Sequence, residues 1–487
     1  MEHNYLALDL GAESGRAIIG NLSAGKLTLT ETHRFANQPV SRDSGLHWDV
    51  DSLWREIKHG IAFSSQKAKL ESLGVDTWGV DFGLLDDAGN LLALPFHYRD
   101  SRTDQILQKA FQRVSREEIF AQTGIQFLQF NSLYQLLAMV LAGDPTLAKA
   151  RTFLTIPDLF NHWLSGSLTC EFTNATTTQC FNPLTRAWAA PLISAMNIPA
   201  EVFPPVCKPG TLLGNLLPSV AQETSAGTIP VIAPACHDTG SAVAAVPAEN
   251  TDFAWLSSGT WSIMGVEVSH PNVTPQALVH NFTNEGGVFG TWRLSKNIMG
   301  LWLVQQCKRL WGLSYDELTH MAAQARPFLA VIDPDSNRFL HPADMPEAIC
   351  AYCRDTGQAA PQTRGEIVRV TLESLALKYR LTLNHLEELS GKHFEPIHII
   401  GGGTKNRLLN QLTADCTGRT VVTGPVEATA TGNILLQAIS LNHLSSLADA
   451  RAVVRRSFLV ETYQPGDMAG WDDAFAKLIS LTQSNPD

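Results

Sequence analysis

The chain has 487 residues, a formal net charge of −11, and a composition that is 44% hydrophobic and 17% charged. That length exceeds what one compact core serves, so two domains are expected, and the apolar content excludes a disordered chain. The acidic balance argues against nucleic acid and anionic membrane as partners, so any bound phosphate must be held locally, by backbone N–H groups or a metal ion.

The N-terminus enters a strand-like run directly, without a basic, apolar leader, and no stretch of about 20 apolar residues follows; a cytoplasmic protein is expected. Tyr5–Leu8 leads into Asp9-Leu10-Gly11, and Arg16–Ile19 and Lys26–Phe35 continue as a meander. Asp51 reads as the N-cap of a helix bearing Leu53, Trp54, Ile57 and Ile61. A strand pair, Leu73–Asp81 and Phe82–Asp86, precedes the turn residues Asp87–Asn90. Val246–Asn250 reads as a loop, which divides the chain into expected domains of 1–246 and 247–487. The second half reopens as the first did: strand Ala254–Ser257, small-residue turn Ser258–Thr260, strand Trp261–Val268. A long helix Gly365–Ser390, a strand Pro396–Ile400, a helix Asn406–Cys416, a strand Thr420–Val422 and a helix Ala428–Ser440 then alternate, which predicts an α/β layered fold. The eight cysteines include a single C-x-x-C spacing, Cys350 and Cys353, too few ligands for zinc; free thiols are expected.

The stretches that carry chemistry are short and polar. In Asp9–Arg16 a carboxylate ends a buried strand. Gly11 and Gly15 permit close backbone approach to phosphate, Ser14 adds a hydroxyl, Arg16 adds charge, and Asp9 suits Mg²⁺ directly or through water. An ordinary glycine hairpin is the plain alternative. Leu256–Trp261 repeats the design, with a polar hairpin turn as its alternative. Ile399–Asn406 places Gly401, Gly402 and Gly403 between a strand and a helix, where a flat ligand can approach the backbone; it fits neither the dinucleotide fingerprint nor the P-loop. In Ala235–Ala242, Asp238 could accept a hydroxyl proton and His237 could bond a substrate; the plain alternative makes Asp238 a helix N-cap. Val75–Phe82 holds Asp76 and Asp81, which a continuous strand would point to opposite faces, against a two-carboxylate glycosidase. His97–Arg102 reads as a polar surface turn, and Asn297 and Gln305 as sharing one helical face.

D-L-G-x-x-S-G-R at 9–16, H-D-T at 237–239, L-S-S-G-T-W at 256–261 and G-G-G-x-x-N at 401–406 occur in that order, and together the chain resembles the FGGY carbohydrate kinases over essentially its whole length. Within that family it is most similar to members acting on L-rhamnulose, on Gly74–Asp81, Tyr98–Thr103, Gly124–Leu136, Asn174–Gln179, Phe282–Gly287, Lys296–Leu303 and Gly424–Asn433. The resemblance implies two actin-like (ribonuclease-H-like) domains, with the active site in the cleft between them. It implies ATP phosphate contacts from Ala12, Glu13, Ser14, Gly15, Arg16 and Thr260, and Gln305 and Gly402 in the nucleotide site. It implies ketose contacts from Gly79, His237, Asp238, Thr239 and Asn297, with Asp238 as proton acceptor. The implied reaction is Mg²⁺-dependent transfer of the γ-phosphoryl group of ATP to the 1-hydroxyl of L-rhamnulose, by a monomer or small homo-oligomer. A kinase of L-fuculose and a sugar-independent actin-like ATPase are the alternatives. Glu13 departs from the small residue the family carries there; its charge repels phosphate unless it faces solvent or metal.

Overall fold

The computed structural model describes residues 2–340, 342–466 and 468–484. The chain forms two compact units, one of Met1–Glu249, Glu267–Leu294 and Glu427–Phe458, the other of Asn250–Val266, Ser295–Val426 and Leu459–Asp487.

The first unit is built on a six-stranded sheet, in the order Thr211–Asn215, Pro230–Ala233, Ser72–Thr77, Glu2–Leu10, Ser14–Ser23, Lys26–Ala36. Pro230–Ala233, Ser72–Thr77 and Glu2–Leu10 run parallel, so their carboxyl ends lie on one edge. Tyr5–Leu10 is a continuous buried run because both sheet faces are covered. On one face, helix Val50–Lys67 brings Gly60 so close that a Cβ there would meet the Ala17 Cβ at 2.7 Å. On the other, helix Ala428–Ser440 packs Ile434 into the space left by Gly20. Asp49, not Asp51, caps the first of these helices, accepting from the Ser52 N–H at 2.9 Å; Asp51 sits in the first turn, where acidic side chains also suit the helix dipole. Phe82–Leu85 pairs antiparallel with Thr152–Thr155 rather than with the strand before it, and Asp86 closes the turn by accepting from the Ala88 and Asn90 N–H groups.

The second unit repeats the device. Hairpin Ala254–Ser258/Trp261–Val268 adjoins Ile397–Ile400 and then Val421–Thr423, both parallel to Ala254–Ser258. Helix Arg364–Ser390 begins in a capping box, Thr363 with Glu366, and stops at Gly391 in the left-handed region. All eight cysteines are free thiols; Cys350 and Cys353 share the helix Met345–Asp355. Among the described residues, no helix is long and apolar enough to cross a membrane.

Candidate active site

The parallel edge of the first sheet collects carboxylates. Asp9 and Asp76 face each other in paired register, both buried. Asn433 donates to Asp76 Oδ2 at 2.6 Å and to the Gly74 carbonyl at 3.1 Å. Burial, helped by Asp238 and Glu427 and opposed by Arg16, pushes the Asp9 carboxyl up to about 6; burial and the adjacent Asp9 push Asp76 well above the ordinary range. Asp76 Oδ1 is buried without a hydrogen-bond donor, and Asp9 Oδ2 is buried with only the Arg16 guanidinium beside it, 3.2 Å away. These paired carboxylate oxygens are of the hard type that fits Mg²⁺. A different group, His33, Glu56 and His59, brings ligand atoms within 4.8 Å of one another, but its imidazoles suit transition metals rather than magnesium.

The loop after Asp9 is tied down by Gly11 N–H to the Ser14 carbonyl at 2.9 Å and by Asn37 to the Gly11 carbonyl at 2.9 Å. Gly11 has little room for a Cβ, 3.3 Å from the Ser14 oxygen. Gly15 also has a packing reason: its missing Cβ would lie 2.3 Å from the Phe35 ring. Arg16 is held by Glu427 and lies 3.2 Å from Asp9 Oδ2, so two carboxylates already offset its charge. Glu13 is exposed, and Ala12 and Ser14 are half-buried.

Beside this edge, Ala235–Asp238 is fixed from below. The Thr77 N–H donates to the Cys236 carbonyl at 2.9 Å. Glu171 accepts from the Cys236 N–H at 2.9 Å, and Thr173 Oγ1 from the His237 N–H at 3.1 Å. Helix Asp238–Ala244 crosses helix Ala428–Ser440 at Gly432, where a Cβ would lie 1.7 Å from the Ser241 carbonyl oxygen. The N-cap is His237 and Asp238 is the first helical residue, so Asp238 does not cap the helix. Its Oδ1 accepts from the Thr239 N–H at 2.5 Å and Thr239 Oγ1 at 3.1 Å, and faces His237 Nε2 at 3.4 Å. Among the described residues Oδ2 has no such partner, and the side chain is 32% exposed, so one oxygen is held and the other can receive a proton. His237 Nδ1 lies 3.1 Å from Glu285 Oε2 and 3.0 Å from Arg293 Nη2. Burial opposes ionisation of Glu285, but Arg293 and His237 outweigh it and hold the carboxyl below its usual range.

Near Gly79 the backbone is strained: Val80 has φ +68°, unfavourable for a β-branched residue. Thr177 Oγ1 accepts from the Val80 N–H at 3.0 Å, and Ser132 donates to its carbonyl. Asp76 and Asp81 do part company, but because the strand ends at Thr77. Asp81 accepts from Trp48 at 2.6 Å, Trp78 at 2.9 Å and Gln135 at 2.8 Å. Trp78, Trp48, His97 and Tyr98 pack in series, with ring centroids 4.1, 4.0 and 4.6 Å apart; Trp48 is fully buried and Trp78 and His97 nearly so, which leaves Tyr98 as the half-buried end of the series. The His97–Arg102 cluster is therefore not a surface turn. His97 and Asp100 are buried, Asp100 accepts from the Leu46 N–H at 2.7 Å, and Arg102 bonds both the Gln135 carbonyl and its side chain.

In the second unit the hairpin turn is stitched to the helix Trp302–Trp311 that carries Gln305. Leu301 N–H donates to Gly259 at 3.0 Å and Trp302 N–H to Thr260 at 3.1 Å. Gly403 packs against Ser258, whose Oγ lies 2.0 Å from where a Cβ would be, while Gly402 faces open space. Thr260, Gln305 and Gly402 thus belong to linked elements. Asn297 and Gln305 do not share a helical face: Asn297 is on strand Trp292–Met299. The chain breaks at Gly300, where a Cβ would lie 2.6 Å from the Trp261 carbonyl carbon. Beside Asn297, burial and the charge of Lys378 lower Lys296 to about 8; Lys378 itself pairs with Asp333 at 2.7 Å and Asp335 at 2.9 Å.

The supporting residues Glu171, Thr173, Glu285, Arg293 and Asn433 carry no motif signal of their own, although Glu285 and Asn433 lie in stretches that carry the resemblance.

Residues 4–245 match the N-terminal domain of the FGGY family of carbohydrate kinases, and residues 254–441 match its C-terminal domain. The chain is 46% identical to a rhamnulokinase of Bacteroides thetaiotaomicron over 98% of each chain. It is 42% identical to one of Oceanobacillus iheyensis, over 96% of this chain and 100% of the relative, and 40% identical to one of Bacillus subtilis, over 95% and 96%. In fold it is similar to xylulose kinase from Lactobacillus acidophilus, with a TM-score of 0.83 and 15% identity over 99% and 98% of the two chains. Glycerol kinase of Plasmodium falciparum with ADP gives a TM-score of 0.79 and 15% identity over 99% and 97%. With both family domains matched in order and relatives aligned nearly end to end, the chain belongs to the FGGY family of carbohydrate kinases.

Proposed function

We propose that the chain transfers the γ-phosphoryl group of ATP to the 1-hydroxyl of L-rhamnulose, giving L-rhamnulose 1-phosphate and ADP in the cytoplasm. The observation that carries the substrate is near-full-length identity of 40–46% to rhamnulokinases. The catalytic base is Asp238: Oδ1 is held by Thr239, and Oδ2 takes the hydroxyl proton as the oxygen attacks phosphorus. Gly79, His237, Thr239 and Asn297 bind the ketose. Tyr98, the half-buried end of the aromatic series, offers a ring to a deoxy, C–H-rich face of the sugar.

Ala12–Arg16 and Thr260 contact the ATP phosphates, and Gln305 and Gly402 contact the nucleotide; residues 1–246 are the sugar-binding side and 247–487 the nucleotide-binding side. Glu13, being exposed, turns its charge to solvent. Asp9 and Asp76 would hold Mg²⁺, which when bound neutralises charge on the phosphoryl oxygens. The protein acts as a monomer or small homo-oligomer.

The test is ADP release by the purified enzyme on a panel of ketoses. L-Rhamnulose should give the highest kcat/KM. Turnover on L-fuculose alone would overturn the substrate while keeping the class, and ADP release independent of any sugar would overturn the kinase reading.

A further inference from the structure

Behind His237 lies a charged pair that the reaction above leaves without a role. Arg293 is fully buried, and Glu285 and His237 are 8% and 7% exposed. Arg293 Nε donates to the Gly286 carbonyl at 2.9 Å, which fixes the guanidinium. Its Nη2 lies 3.0 Å from Glu285 Oε2 and 3.0 Å from His237 Nδ1. Nδ1 therefore lies between a donor, Arg293 Nη2, and an acceptor, Glu285 Oε2 at 3.1 Å; where the guanidinium hydrogen takes the Nδ1 lone pair, the ring proton resides on Nε2. Nε2 faces Asp238 Oδ1 at 3.4 Å. A buried ion pair is a poor source of stability, so its presence against a site residue calls for another reason.

We infer that Glu285 and Arg293 are positioning residues for the catalytic base, selecting the His237 tautomer whose Nε2–H points at Asp238. That hydrogen occupies Oδ1 and leaves Oδ2 as the oxygen that accepts the substrate proton. The inference rests on Asp238 being the base.

A double-mutant cycle tests it. Glu285→Gln removes the charge that steadies Arg293, and it should lower kcat by about tenfold to a hundredfold with the KM for ATP unchanged. Glu285→Asp should restore part of the loss. In a His237→Gln background, Glu285→Gln should change kcat by less than about twofold, because its route to Asp238 has gone. Multiplying effects would overturn the inference. Should Glu285→Gln fail to fold, ¹⁵N spectra of the wild-type histidine rings decide: a protonated Nε2 with bare Nδ1 on His237 supports it, and the opposite tautomer overturns it. Asp238→Asn separates the two levels. If that variant is inactive while the cycle is multiplicative, only the positioning role falls; if it turns over normally, the base assignment falls as well.

Discussion

At the sheet edge of the first unit the candidate residues are charged and interlocked: Asp9, Asp76, Arg16 and Glu427 within one cluster, and Asp238, His237, Glu285 and Arg293 within another. The hairpin turn of the second unit, at Ser258–Thr260, carries hydroxyls and glycine, and its hydrogen bonds to Leu301 and Trp302 are backbone to backbone. The same strand–turn–strand device thus serves two chemistries. One unit gathers buried charges at its sheet edge; the other presents a backbone surface of glycine, hydroxyl and N–H groups.

The comparison breaks most sharply at the base. Asp238→Asn should lower kcat by about 10²–10⁴-fold while calorimetry still shows sugar binding, because the amide keeps the Thr239 contacts in part and loses proton affinity. Normal turnover would mean that the charge of the first unit is not catalytic. Next, Asp9→Asn should raise the Mg²⁺ concentration for half-maximal activity by about 10–100-fold, seen in titrations at fixed ATP. An unchanged Mg²⁺ requirement would move the metal off the first unit. The second unit answers to shape instead. Gly403→Ala should cost about 1–3 kcal/mol in urea denaturation, since Ser258 occupies the space. Gly402→Ala should leave stability unchanged and raise the KM for ATP. If both affect stability alone, the loop is structural.

The smallest effect is electrostatic. Burial, with help from Arg99, lowers His97 from 6.5 to about 4. Between those values the unfolded chain binds the proton and the folded chain does not, so this contribution is fully present above pH 6.5 and is lost as pH falls toward 4. Denaturation at stepped pH should show the loss, and His97→Asn should flatten it.

How much was legible follows the same divide. The loops Asp9–Arg16, Ser258–Thr260 and Gly401–Asn406 are contiguous and carry turn chemistry, so their order identified the family. The charged support is assembled from distant segments: Asp76 meets Asn433, and His237 meets Glu285 and Arg293. No local pattern encodes such pairs. The His97–Arg102 stretch looked solvated because it is polar; Gln135 and the Leu46 N–H supply the bonds that let it be buried. The run through Asn297 and Gln305 looked helical throughout, because nothing in its spacing reveals that Gly300 must pass against Trp261.

The first unit's reliance on Glu427–Phe458 bears on how the protein is made. Gln437 bonds the Ser72 hydroxyl and the Leu6 carbonyl, and Asn433 bonds Asp76. During synthesis the first sheet therefore leaves the ribosome long before the helix that covers one of its faces. It must wait, partly bare, until residues beyond 440 emerge. A chaperone that shields apolar surface should engage nascent chains of intermediate length and release them when this helix arrives.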